Sequence, residues 1–139
     1  MIFPNRKVFL YFQFVLLGQT VMKFSISADQ GQVVQVTIEG CLTQPDIAPP
    51  LDPFRQVLGQ NVYQRTVLLD MAQSNYLDSM CIGWLLSSHK RFREQGGKLV
   101  IHSLQPMASN VISLLRLNNI FQLAADTETA LQLVRGEVA

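Results

Sequence analysis

The chain of 139 residues is close to neutral, with a formal charge of +1, 48% hydrophobic residues and two cysteines. That length buries a core without disulfide or metal staples, and so small a net charge gives no field for nucleic-acid steering. Cys41 and Cys81 lie in different expected elements with no paired spacing, which argues against a disulfide framework or zinc knuckle and makes a reducing cytoplasm the simpler setting.

Residues 1–21 form an apolar N-terminal stretch. Val8 to Leu17 is strongly apolar behind Arg6-Lys7, which imitates a signal peptide, yet no small-x-small cleavage site follows promptly. The run is also shorter than the ~18 residues of a membrane span. Three readings stay open: a dispensable or non-native extension, an extra packed strand or partner-binding segment, and an export or anchoring segment. From Met22 the pattern is regular. Phe24-Ser25-Ile26-Ser27 alternates, Asp29-Gln30-Gly31-Gln32 turns, and Val34 to Glu39 alternates again, predicting a β-hairpin.

Pro45, Pro49 and Pro50 keep the next connection extended, and Asp52-Pro53 supplies an N-cap followed by proline at the first helical position. Phe54, Val57 and Leu58 give that helix its buried side. Thr66 to Met71 is nearly continuous in apolar residues, as expected of a central strand covered on both faces. After it, Ile82, Leu85, Leu86, His89 and Phe92 recur at helical spacing, and Gly96-Gly97 supplies a left-handed stop. Asp78 and Ser79 thus fall at a helix N-terminus, where unpaired N–H groups and the macrodipole favour negative charge.

Leu99-Val100-Ile101 predicts the next buried strand. Pro106 opens a third helix with Val111, Ile112, Leu114, Leu115 and Leu117 expected inward, and Asn118-Asn119 is expected to take the left-handed cap. Ile120 to Leu123 reads as a last short strand, and Asp126 as the cap of a final helix carrying Ala130, Leu131 and Val134. Strands separated by helices predict one α/β domain: a mixed sheet of four to five strands with an N-terminal hairpin and about four helices.

Catalytic chemistry finds little support. His89 falls on the apolar helix face as a satisfied core residue, and His102 ends a strand; neither has a partner at metal-ligand spacing. No glycine-rich loop cradles phosphate, and Asp52 and Asp78 read as caps. Asp70 ends the central strand, where α/β sheets place functional groups, so it could border a partner site. The cluster His89-Lys90-Arg91 with Arg93 complements the C-terminal end of the helix dipole.

The order strand, loop, Asp-Ser, helix, Gly-Gly, strand resembles the STAS family, whose best-known members are bacterial anti-anti-sigma factors. The family's helix opens Asp-Ser-(Ser/Thr)-Gly-Leu; this chain reads Asp78-Ser79-Met80-Cys81-Ile82 and then Gly83. The resemblance continues through Gly96 to Ile101, Leu114 to Phe121 and Asp126 to Leu131, so the STAS domain is expected over residues 22–139. Gly40-Cys41-Leu42-Thr43 is similar to the family's Gly-Glu-Leu-Asp step, with Cys41 and Thr43 replacing acidic residues, and Arg116 stands where the family often has Gly.

The resemblance implies an anti-sigma factor antagonist that acts without a cofactor. Unphosphorylated, it would bind an anti-sigma factor with serine-kinase activity through Asp78, Ser79, Met80, Cys81, Gly83, Trp84, Thr43 and the loop from Ser74 through Asn75 and Tyr76 to Leu77. Phosphorylation of Ser79 would release it, and a serine phosphatase would reset it. Neither nucleic acid nor a membrane is an expected partner. A bland reading makes Asp78 and Ser79 only a helix cap. Trp84, off the apolar stripe, is read either as an exposed anchor for a partner or as packed beneath a neighbouring segment. Two rival functions are kept: a STAS scaffold subunit that holds the ATPase of a lipid transporter, and a thiol redox protein using Cys81, against which stands a buried, inert cysteine.

Overall fold

The computed structural model describes residues 11–16, 19–40, 52–74, 77 and 79–135. Strand β1 (Tyr11–Leu16) runs antiparallel to β2 (Gln19–Asp29), and β2 antiparallel to β3 (Val33–Gly40). Helix α1 (Pro53–Leu58) and a 3₁₀ turn at Val62–Gln64 lead to β4 (Thr66–Gln73), which pairs parallel with β3. Helix α2 (Ser79–Gln95), β5 (Lys98–His102), α3 (Pro106–Leu114), a second 3₁₀ turn at Leu117–Asn119, β6 (Gln122–Ala124) and α4 (Thr127–Arg135) complete the order. The result is one mixed sheet of six strands in sequence order, with β4, β5 and β6 parallel.

The expected hairpin, central strand and crossover helices are all present. Five strands correspond to those read from the sequence, and β1, from the apolar N-terminal stretch, adds a sixth at the edge. Alternation explains the two layers. Phe24 and Ile26 of β2, Val34, Val36 and Ile38 of β3, and Val67, Leu69 and Met71 of β4 share the main core with α1, α2 and α3. Leu68 and Val100 point the other way and are covered by Ala130, Leu131 and Val134 of α4. Successive side chains of a strand face opposite sides, so β4 must be apolar at consecutive positions to fill both layers.

Local chemistry sets the joints. At the hairpin, Gly31 takes φ +84° while its N–H donates to Asp29 Oδ1 at 2.9 Å; Arg65 then pairs with Asp29 at 2.6 Å. Asp52 caps α1, accepting from Arg55 N at 3.4 Å, and also accepts from Tyr63 Oη at 2.8 Å and Arg91 Nη1 at 3.1 Å. One carboxylate therefore ties α1, the first 3₁₀ turn and α2. Phe54 sits at the centre of an aromatic cluster, edge-on to Phe24 at 5.3 Å and to Phe92 at 5.4 Å. Such pairs contribute about 0.5–1.5 kcal/mol each beyond the area they bury.

Two expectations in the C-terminal half are corrected. The left-handed residue after α3 is Arg116, with φ 58° and ψ 27°, and not Asn118 or Asn119. Leu114, two residues on from buried Ile112, falls on the outer side of the helix, and Leu115 lies past its end where the chain reverses at Arg116; the two stand 82% and 55% exposed. Ala108, Ile112 and Leu117 hold the inward positions.

Candidate functional site

Helix α2 is anchored before it begins. Ser74, 1% exposed, follows β4, and its Oγ donates to the carbonyls of Ile38 at 3.1 Å and Gly40 at 2.9 Å, at the end of β3. Leu77 is 6% exposed and belongs to the core. Both ends of the expected partner-binding loop are thus buried pins. Asn75 and Tyr76 between them lie outside the described residues, as do Asp78, Thr43 and the Met80 side chain.

From its first residue, α2 divides cleanly. Ser79, Gly83, Ser87 and Lys90 are exposed at the spacing that lines one ridge of a helix. Among the described residues, a Cβ built on Gly83 would meet nothing within 4 Å. Bare backbone therefore faces open space one turn from Ser79. On the opposite side Cys81, Trp84, Leu85, Ser88 and Phe92 are buried, a wider arc than the apolar stripe of the sequence suggested.

Of the two readings of Trp84, the packed one prevails. The residue is 8% exposed and stacks on Phe54, with ring centroids 5.2 Å apart and planes 12° from parallel. Packing under α1, and not display to a partner, uses its ring. Cys81 is 2% exposed, so the thiol is shielded from oxidants and the buried reading of this residue prevails. His89 departs from its expected role as a satisfied core histidine: its ring packs edge-on to Phe121 at 5.7 Å, but Nδ1 is buried without a hydrogen-bond partner among the described residues. Burial first, and the charge of Arg93 second, hold the His89 pKa below its ordinary value.

The C-terminal ends of the parallel strands form the same edge of the sheet from which α2 departs. There Asp70 Oδ1 accepts from Ala72 N at 2.9 Å, a local turn contact. His102, paired with Asp70 in register and 1% exposed, lies 2.8 Å from Ser103 Oγ through Nδ1. Burial lowers its pKa, against the opposing influence of Asp70 and Asp126. Gln105 Nε2 donates to the Ala72 carbonyl and joins the start of α3 to the end of β4. The described residues contain no group of three or more His, Cys, Asp or Glu able to hold a metal ion. Nor does any described helix have the length and apolarity to cross a membrane.

A family model described as "Mlab, STAS domain" matches residues 27–125, well over half of the chain. The chain belongs to the STAS domain family. Its fold is shared with a proposed anti-sigma factor antagonist from Thermotoga maritima, at TM-score 0.63 and 17% identity over 91% of this chain and 94% of that one. An anti-sigma factor antagonist from Mycobacterium paratuberculosis aligns at TM-score 0.61 and 21% identity, covering 82% and 94%. A STAS domain protein from Planctomyces limnophilus gives 0.55 and 17%, covering 79% and 96%.

Within this STAS domain, Ser79 opens α2 as its position in the sequence implied, and Ser79 and Gly83 are exposed along one ridge of that helix. Leu77, Cys81 and Trp84 stand beneath it as its support. Ser74, which ties the connection into α2 to β3, and Gln105, which ties the start of α3 to β4, carried no motif. Ser74 was legible only as part of the loop, because its two acceptors are far away in sequence.

Proposed function

We propose that this STAS domain is an anti-sigma factor antagonist whose docking surface is the ridge from Ser79 through Gly83. The observation that carries the reading is the open backbone of Gly83 one helical turn from an exposed Ser79. A glycine inside a helix costs about 1 kcal/mol relative to alanine, and among the described residues none uses the space it leaves. A partner's close approach gives that space a use. The partner is an anti-sigma factor with serine-kinase activity, the setting is the cytoplasm, and the domain itself is a binding module and not an enzyme.

Phosphorylation of exposed Ser79 is the proposed release step. It adds close to two negative charges and three acceptor oxygens at a helix N-terminus, which tolerates them. The cost falls on the docked partner, which meets new charge and bulk. A serine phosphatase restores the binding form.

A second reading, a STAS scaffold that holds the ATPase of a lipid transporter, is favoured by two observations. The matched family's description names Mlab, and Met80-Cys81 departs from the Ser/Thr-Gly of the switch motif. Affinity capture from native cells with the full chain separates the two. Recovery of a kinase-like anti-sigma factor by wild type and Ser79→Ala, but not by Ser79→Asp, supports the switch. Equal recovery of a transporter ATPase by all three overturns it.

A further inference from the structure

Beyond the Ser79 ridge, about 15 Å further along α2 at its rise per residue, a groove opens between the helix and the turn after α3. A cavity of about 490 Å³ is lined by Leu86, His89, Lys90, Arg93, Glu94 and Ile120. A second, of about 280 Å³, shares His89, Arg93 and Ile120 and continues over Gly97 and Lys98 to β5 and β6. The volume of the first is in the range of small-molecule sites, which combine an apolar floor with a few convergent polar groups.

Its chemistry is polarised. Leu86 is half-buried and Ile120 is 47% exposed, so an apolar strip remains open to solvent. Lys90, Arg93 and Lys98 present three cations against the single carboxylate of Glu94, and the described structure gives none of the three an ion pair. Glu94 acts electrostatically on Arg91. His89 stands in the wall of both cavities with its buried Nδ1 unpartnered. Capping of the helix dipole accounts for cations in the last turn of α2. It does not account for a concave apolar strip beside them, nor for an orphaned imidazole nitrogen.

We propose that this groove is a binding site for an alkyl carboxylate, with the chain laid over Leu86 and Ile120 and the carboxylate held by Arg93 and Lys90. The guanidinium fork matches a carboxylate in two parallel hydrogen bonds, and the ammonium adds a flexible point charge. The neutral His89 ring closes the wall between head and tail. This inference does not rest on Ser79 or on the anti-sigma reading.

Decanoate is the probe, titrated into the full-length ¹⁵N-labelled chain and followed by amide chemical shifts. Saturable shifts centred on Leu86, His89, Arg93 and Ile120, weakened about tenfold or more by Arg93→Glu and by Ile120→Asp, support the site. Gln60→Glu, exposed in the turn after α1 and outside the groove, keeps the wild-type affinity. Decanol lacks the charge and acetate lacks the chain, and neither saturates. Shifts that are absent, that centre elsewhere, or that are equal in Arg93→Glu and wild type overturn the proposal. So does binding to anionic phospholipid vesicles without saturable binding of decanoate.

Discussion

Gly83 and Arg116 are each at odds with their own backbone, in opposite senses. Gly83 is a flexible residue inside a regular helix with open space around it. Gly83→Ala is expected to raise stability by about 0.5–1 kcal/mol through helix propensity alone, checked by urea unfolding. Under the proposed function the same change weakens partner capture, so stability and binding move apart. Arg116 is a side-chain-bearing residue held at φ 58°, a conformation that costs an L-residue about 1–2 kcal/mol. Arg116→Gly relieves that cost but adds freedom to the unfolded chain, for a net gain of about 0.5–1 kcal/mol. Differential scanning calorimetry should show the melting temperature rising by roughly 2–4 °C. The family resemblance had marked position 116 as one that often carries Gly. Residue preference alone points instead to Asn118-Asn119, because asparagine tolerates that region better than arginine. Residue preference named the wrong position, since where the chain must reverse is set by the length of α3.

At the scale of elements, α2 is defined by how its ends are pinned. Its C-terminus was legible: Gly96 turns left-handed at φ +87°, and Gly97 N donates to the Phe92 carbonyl at 2.9 Å, as a Gly-Gly stop predicts. A Cβ on Gly97 would also collide with the carbonyl oxygens of Tyr63 and Arg65, so this glycine answers to packing as well as to the turn. The N-terminal anchor was not legible, because Ser74 reaches across to β3. Ser74→Ala removes the hydroxyl shared between the buried Ile38 carbonyl and the part-buried Gly40 carbonyl and is expected to cost about 1–2 kcal/mol, read from the midpoint of chemical denaturation. Periodicity failed at α3 for a related reason. Leu114 is the last helical residue and falls on the side away from buried Ile112, while Leu115 lies just past the helix, where an apolar residue no longer shares the buried face.

For the whole molecule, acid is the informative variable. The imidazoles of His102 and His89 both have pKa values below their ordinary 6.5 in the folded state, chiefly through burial. Unfolding therefore takes up protons once the pH drops under about 6.5, and stability falls with further acidification until the folded-state pKa values are reached. The slope is at most about 1.4 kcal/mol per pH unit for each imidazole. Half-exposed His89 contributes less than His102. Urea unfolding between pH 7 and 5 is expected to show this loss, and His102→Asn to reduce its slope; an unchanged slope would place the proton uptake elsewhere. Tyr63 acts at the other extreme. Burial, opposed by the hydrogen bond with Arg91, pushes its phenol up to about 12, so the unfolded chain ionises first and stability declines as alkali carries the pH from about 10 towards 12.

Element order, the Asp52, Asp126 and Gly-Gly signals, and the place of Ser79 at the start of a helix follow from the amino-acid sequence by itself. Caps, stops and apolar periods are properties of residues adjacent along the chain. Tertiary structure alone decided that the apolar N-terminal stretch contributes β1, that Trp84 stacks on Phe54, and that His89 and Ile120 face one groove. Each depends on which distant segment arrives opposite, and periodicity within one segment carries no record of its neighbour across the core.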